Sequence, residues 1–319
     1  MRPLSPNAPA VAVMGAGAVG GYYGGMLALA GVPVTLIGRA HHAEAIARDE
    51  LVIERADRRD AVRVNVATGA GAVRDAGVVL VCVKSPDTGA AALAMKPHLR
   101  PDATIVSLQN GVSNADALAA VLDQVVLAAV VWVGTSMERA GVVRHSGGGD
   151  LALGVARPSA ARPGAADRAR EVGAMFERAG VRCPVVDDVE AALWEKLVVN
   201  CAFNAVSALG RSRYGRMARE PDVRYLMESA VREAVAVARA SGVALDEAAM
   251  VATVWRTADR LAMQHSSTAQ DIVRGKPTEI AMLNGEVVRR GEALGVPTPV
   301  NRTLHALVRL REGGDDLTG

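Results

Sequence analysis

Aromatic residues make up only 3% of this 319-residue chain: two Phe, three Trp and four Tyr. So sparse a set provides no stacking platform for single-stranded nucleic acid. Cysteine is almost as scarce. Cys82, Cys183 and Cys201 are too few and too scattered for a disulfide framework or a zinc cluster, and they read as reduced thiols of a cytoplasmic protein. His41-His42 has no Cys or further His at ligand spacing, and His145, His265 and His305 are isolated, so no metal site is expected. No apolar run reaches the roughly 18 residues of a membrane span. The formal net charge of +2 is mixed along the chain without a basic block, which argues against nucleic acid or a membrane surface as partner. The first ten residues hold three prolines and no apolar run, reading as a short disordered lead rather than a signal peptide. Lysine is rare too: Lys84, Lys96, Lys196 and Lys276 are the only four among 36 basic residues.

What is present is apolar mass, 50% of the chain and chiefly Ala, Val and Leu. In the first half, short β-rich runs alternate with Ala-rich helical stretches. Strands are expected at 10–14, 34–37, 78–83, 104–108 and 125–133, and a helix at 19–30 closed by Gly31. The 78–83 run is almost continuous Val and Leu, as in a parallel strand buried on both faces. This βαβ rhythm implies an α/β fold, a doubly wound parallel sheet of the Rossmann type. Antiparallel strands are expected over 138–153, a helix over 165–179 and a last strand over 181–186. Beyond Asp187 strand signals vanish, and helices are expected at 188–209, 221–241, 246–265, 278–294 and near 300–311. The reading is therefore a Rossmann domain over 1–187 and a C-terminal all-helical domain over 188–319, with the tail 313–319 fraying.

Gly15-Ala16-Gly17-Ala18-Val19-Gly20 is G-x-G-x-x-G placed between the first strand and the first helix. Gly15 allows the tight turn, Gly17 lets a pyrophosphate approach the backbone, and Gly20 lets helix pack on strand. The helix N-terminus at Ala18 and Val19 favours phosphate. After the second strand comes Leu36-Ile37-Gly38-Arg39, with no carboxylate to hold ribose hydroxyls until Glu44. Arg39 suits a 2′-phosphate instead, which favours NADP over NAD; an exposed arginine with no ligand is the competing reading. Lys84 and Gln109-Asn110-Gly111 end two further strands at the carboxyl edge, where ligands bind in such sheets. Lys84 could contact nucleotide, and Asn110 an amide, a ribose or the substrate; each could equally satisfy its own turn.

In the second half, Lys196, Asn200 and Asn204 lie four apart and form one stripe of a helix. Leu193, Leu197, Cys201 and Ala205 then face a core. Asn is a poor helix former and buried amides need partners, so the stripe suits a polar ligand. Unlike Arg, a desolvated Lys can give up its proton, which points Lys196 towards proton transfer. Later, His265-Ser266-Ser267-Thr268-Ala269-Gln270-Asp271-Ile272 ends one expected helix, and Thr278-Glu279-Ile280 opens the next. Thr278 reads as its N-cap and Glu279 as an acid in its first turn.

Taken together, and in this order along nearly the whole chain, these motifs resemble the ketopantoate reductase family (2-dehydropantoate 2-reductase). The resemblance implies reduction of ketopantoate to pantoate with NADPH, a step of pantothenate and coenzyme A synthesis. It puts the catalytic lysine at Lys196, a second ionisable catalytic position that also meets the cofactor at Glu279, and the NADP-phosphate arginine at Arg39. Substrate-binding positions fall on Asn110, Asn200, Asn204 and Ser267. The chain departs from the family at Ala281, where an acid is common and would complete a capping box. It also departs at Tyr214, where some members carry a substrate-contacting asparagine. Tyr214 keeps open a related reductase of another 2-oxo acid. A non-catalytic NADP sensor would not need Lys196, Asn200 and Glu279 together. A homodimer through the outer helical faces is compatible with this reading.

Overall fold

The computed structural model describes residues 9–159 and 161–312. The expected disordered lead, apart from its last two residues, and the expected frayed tail lie outside those residues. Main-chain packing divides the chain into two compact units, on either side of the Glu190–Ala191 junction.

The first unit is a nine-stranded sheet flanked by helices. Its elements run β1 (Val11–Met14), α1 (Ala18–Leu29), β2 (Val34–Ile37), α2 (Ala40–Asp49), β3 (Leu51–Glu54), β4 (Arg59–Val62) and β5 (Asn65–Ala67). The chain continues through β6 (Val78–Val81), α3 (Thr88–Met95), β7 (Thr104–Ser107), α4 (Asn114–Ala119), β8 (Val125–Arg139), β9 (Val142–Val155) and α5 (Ala165–Arg178). Spatially the order is β4-β3-β9-β8-β7-β6-β1-β2-β5. From β8 to β5 every neighbouring pair is parallel. The chain builds outward from β1 to β2 and β5, then returns to β6 on the other side of β1. Its switch point is therefore β1/β6, the crevice where doubly wound sheets hold ligands. Val78–Val81 is buried along its whole length, as its apolar run requires.

Three sheet features differ from the expected pattern. β8 runs on to Arg139 and pairs antiparallel with β9 as one long hairpin, its register broken by bulges near Trp132, Gly134 and Met137. The β3–β4 hairpin and β5 have no counterpart in the sequence reading; β4 and β5 are short edge strands, and the mixed, half-exposed residues of β4 give little alternation to detect. The expected strand over 181–186 is not one. It is an extended segment with one bridge, Leu153 to Val185, and three main-chain bonds to β9. Pro184 sits inside it and has no N–H for a ladder.

The second unit is all helical. It comprises α6 (Val189–Gly210, which begins just before the junction), α7 (Tyr214–Met217), α8 (Pro221–Ala240), α9 (Glu247–Arg260), α10 (Ser267–Val273), α11 (Asn284–Leu294) and α12 (Pro299–Glu312). Two corrections matter for the site. Ser266 does not end a helix; it begins one, its Oγ accepting from Ala269 N at the N-cap of α10. And the helix expected from 278 begins at Asn284. Residues Ile280–Met282 form a 3-10 turn, and Leu283 (φ −109°, ψ −103°) interrupts it before α11. Ile280 and Leu283 are both buried, so apolar anchoring rather than helical propensity sets the chain path here. Glu279 therefore precedes a 3-10 turn instead of entering an α-helix, and position 281 cannot complete the α-helical capping box.

Candidate active site

In the first unit the predicted nucleotide positions gather at the carboxyl ends of β1, β2, β6 and β7. Gly15 follows β1 with φ +114°, and a Cβ there would lie 2.7 Å from the backbone of Cys82 and Val83, just past β6. Only glycine meets both demands. Gly15 N and Ala16 N donate to Ile37 O at 2.9 and 3.0 Å, tying the turn to the end of β2. A Cβ on Gly20 would strike Gly15 O and lie 2.8 Å from Val13 Cγ1, so its absence sets how closely α1 approaches β1. Gly17 is different: a Cβ there would meet nothing within 4 Å. It is the N-cap of α1 and supplies no side-chain cap. The helix N-terminus at Ala18 and Val19 thus presents main-chain donors to open space in front of Gly17. That arrangement fits a pyrophosphate.

Arg39 is the exposed N-cap residue of α2, directly after Gly38 at the end of β2. It makes no ion pair with another described residue. A guanidinium at a helix N-terminus with no carboxylate partner suits a phosphate. Lys84 is exposed at the start of the turn after β6. Asn110 is half-buried after β7, its carbonyl accepting from Ser85 Oγ and Asn114 Nδ2.

In the second unit α6 presents the predicted stripe. Trp194, Leu197, Val198, Cys201, Ala202 and Ala205 are fully buried, while Lys196 and Asn200 keep partial access to solvent. Burial favours the neutral amine and brings Lys196 down to about 8; the nearby Glu279 carboxylate opposes that shift by favouring the ammonium. Asn200 makes no side-chain hydrogen bond to another described residue, leaving its amide available to a ligand. Asn204 is buried, and its Nδ2 donates to Ser267 Oγ at 3.2 Å and Thr268 Oγ1 at 3.0 Å. Ser266 Oγ donates to Asn204 O, and Ser266 N donates to Ser207 Oγ. These bonds fasten the start of α10 to α6 and set exposed Ser267 beside the stripe. Thr278 Oγ1 accepts from Ile280 N, shaping the turn that carries Glu279. The second unit thus gathers Lys196 with Glu279, and Asn204 with Ser267.

Tyr214 opens α7 and stacks on Phe203, ring centroids 4.1 Å apart and planes 20° from parallel. Burial pushes its phenol up to about 12, so the hydroxyl stays protonated. Phe203 precedes Asn204 on α6 and is itself fully buried.

Some supporting residues escaped the sequence reading. Asn284 Nδ2 donates to Cys201 O of α6 and to Asn301 Oδ1, while Asn301 Nδ2 donates to Ala230 O and Glu233 Oε2. Both asparagines are fully buried. Their one signal in the sequence is an amide where the apolar period of α11 and α12 calls for a core residue. Arg290, held by Glu286 at 2.7 Å, lies 5.5 Å over the Trp194 ring and covers the first turns of α6.

A doubly wound sheet and a helical unit carrying a desolvated lysine near an acid fit an oxidoreductase of the two-unit Rossmann class. The family described as Ketopantoate reductase PanE/ApbA matches residues 11–158, and its C-terminal counterpart matches residues 188–312. The chain belongs to the ketopantoate reductase family. It is 39% identical over 310 residues to a 2-dehydropantoate 2-reductase of Halobacterium salinarum, covering 95% of this chain and 98% of that one. A 2-dehydropantoate 2-reductase of Archaeoglobus fulgidus is 34% identical over the same 95% of this chain and 98% of its own. The crystal structure of a PanE/ApbA family ketopantoate reductase from Ralstonia eutropha superposes with a TM-score of 0.87 at 48% identity, covering 95% of this chain and 98% of that one. A D-mandelate dehydrogenase crystallised with NADH and anilino(oxo)acetate superposes with a TM-score of 0.88 at 20% identity, over 95% of this chain and 97% of its own, a likeness of fold alone.

Proposed function

We propose that this protein reduces 2-dehydropantoate (ketopantoate) to pantoate with NADPH, a step towards pantothenate and coenzyme A. In this reading residues 1–187 bind the nucleotide and residues 188–319 supply the proton donor and most substrate contacts. The observation that carries it is Lys196, desolvated to about 8 beside Glu279 and one turn from the available Asn200 amide.

Gly15, Gly17 and Gly20 shape the pyrophosphate turn, and the Ala18–Val19 amides face it. Arg39 pairs with a 2′-phosphate, and Lys84 and Asn110 contact the nucleotide from the next two strand ends. The reduced nicotinamide supplies a hydride when bound. Lys196, as ammonium, stabilises the negative charge growing on the ketone oxygen and transfers a proton to it, leaving a neutral amine that water reprotonates. Glu279 keeps Lys196 charged before transfer and touches the cofactor or a substrate hydroxyl. Asn110, Asn200, Asn204 and Ser267 orient the substrate's carboxylate and hydroxyl. A pKa near 8 suits a group that must be protonated at neutral pH yet release its proton readily.

The Phe203–Tyr214 stack supports a second reading, the same reaction on another 2-oxo acid with a side chain that packs on an aromatic wall. The deciding assay follows NADPH and NADH oxidation against ketopantoate and a panel of 2-oxo acids. Highest kcat/KM on ketopantoate with NADPH supports the first reading, and preference for another oxo acid selects the second. Nucleotide binding without turnover of any oxo acid overturns both. No helix among the described residues is long and apolar enough to cross a membrane. We place the protein in the cytoplasm, consistent with three free thiols, and expect a homodimer, which sedimentation would test.

A further inference from the structure

Five polar side chains are buried together beneath the carboxyl ends of β6 and β7: Ser85, Thr88, Ser107, Gln109 and Asn114. Burying amides and hydroxyls is unfavourable unless each is paired, and here they pair with one another. Thr88 Oγ1 donates to Asn114 Oδ1 at 2.9 Å and accepts from Gln109 Nε2 at 2.7 Å. Ser107 Oγ donates to Gln109 Oε1 at 3.1 Å. Asn114 Nδ2 donates to Ser85 Oγ at 3.1 Å.

Further bonds from the cluster run to two main-chain oxygens. Gln109 Nε2 donates to Val83 O at 3.0 Å, on the residue before Lys84. Asn110 O accepts from Asn114 Nδ2 at 2.6 Å and from Ser85 Oγ at 3.1 Å. The bonds join residues up to 29 apart in sequence and tie the turn after β6 to the turn after β7. An apolar cluster of the same volume would fill this space without fixing either turn. Directional bonds with every partner in place fix one arrangement of both.

We propose that Asn114 and Thr88 are positioning residues: they hold Lys84 and Asn110 in the posture that receives the nucleotide. They touch no ligand: Asn114 anchors Asn110 O directly, and Thr88 acts through Asn114 and through Gln109, which anchors Val83 O. The inference rests on the nucleotide-binding role given to these turns above.

The test is NADPH titration of the full chain by nucleotide fluorescence, with melting temperature followed in parallel. Asn114→Asp keeps the size of the side chain and the acceptor for Thr88 but removes both donated bonds. NADPH binding should weaken by about 3- to 30-fold, the scale of coupling within one shared network. In a Lys84→Ala/Asn110→Ala background the same change should weaken binding by under ~2-fold, because both side chains being positioned are gone. Thr88→Val should show the same pattern more weakly, and it serves if Asn114→Asp does not fold. A purely structural role would lower the melting temperature equally in both backgrounds and weaken binding equally in both; that result overturns the inference, as does unchanged binding in both variants. Failure of the unaltered protein to bind NADPH overturns the nucleotide role itself, and the inference with it.

Discussion

The two units build polar sites by opposite means. At the end of β1 the first unit uses the main chain: a left-handed glycine, a helix N-terminus without a side-chain cap, and open space where a Cβ would stand. The second unit uses side chains on one long helix, with Lys196 desolvated among apolar neighbours and Asn204 latched to Ser267 and Thr268. A main-chain site offers donors whose identity does not depend on residue type, so it suits a ligand part common to many proteins, such as a pyrophosphate. A side-chain site can be tuned in pKa and shape, so it suits chemistry and substrate choice.

Five experiments would break or sharpen this contrast, the first with the largest expected effect. Lys196→Ala should lower kcat by roughly 10²- to 10⁴-fold, the usual weight of a positioned proton donor, while fluorescence titration shows NADPH still bound. The unaltered enzyme carries a related signature. Lys196 must hold its proton to donate it, and burial brings it from 10.5 to about 8. The log of kcat/KM should therefore be flat below about pH 8 and fall with a slope near one above it; a profile flat to pH 10 would remove Lys196 as the acid.

Arg39→Ala should raise the NADPH KM by about 10- to 100-fold, the scale of a charge-assisted phosphate contact, and leave the NADH KM nearly unchanged. Equal effects on both cofactors would mean that Arg39 does not read the phosphate.

The glycine turn allows a paired test. Gly20→Ala should destabilise the fold by about 1–3 kcal/mol or more in chemical denaturation, since its Cβ meets the backbone of Gly15. Gly17→Ala meets nothing, so stability should stay within about 0.5 kcal/mol while NADPH affinity drops. If Gly17→Ala bound NADPH normally, the open space at Gly17 would not be the pyrophosphate site.

Ser266→Ala should cost about 1–2 kcal/mol of stability, as for the loss of an N-cap. A rise in KM for the oxo acid should accompany it, as α10 loosens from Asn204. Unchanged KM would separate the latch from the substrate site.

How much of this was legible in the residues depends on the range of the physics. The turn at Gly15–Gly20 was legible because its demands are local, a positive φ and a close approach within a few residues. The α6 stripe was legible because a period of four is a property of one helix. Ser266 was misread as a helix end because its partners, Ser207 and Asn204, lie some sixty residues away. The strand expected at 181–186 failed because β propensity cannot foresee that β9 offers this segment only one bridge. The helix expected from Thr278 failed because burial of Ile280 and Leu283 overrides a local capping signal.

Composition and short-range pattern by themselves determined a Rossmann sheet followed by helices, a glycine turn between β1 and α1, an arginine in place of an acid after β2, and a lysine–amide stripe. Each follows from forces acting within a few residues along the chain: steric limits on φ, helical periodicity and β-strand burial. Only the tertiary structure decided the ionisation of Lys196, the pairing of Asn204 with Ser267, the stacking of Tyr214 on Phe203 and the buried network under Lys84 and Asn110. Desolvation and hydrogen-bond direction depend on what surrounds a group in space, and those neighbours come from segments far apart in the sequence.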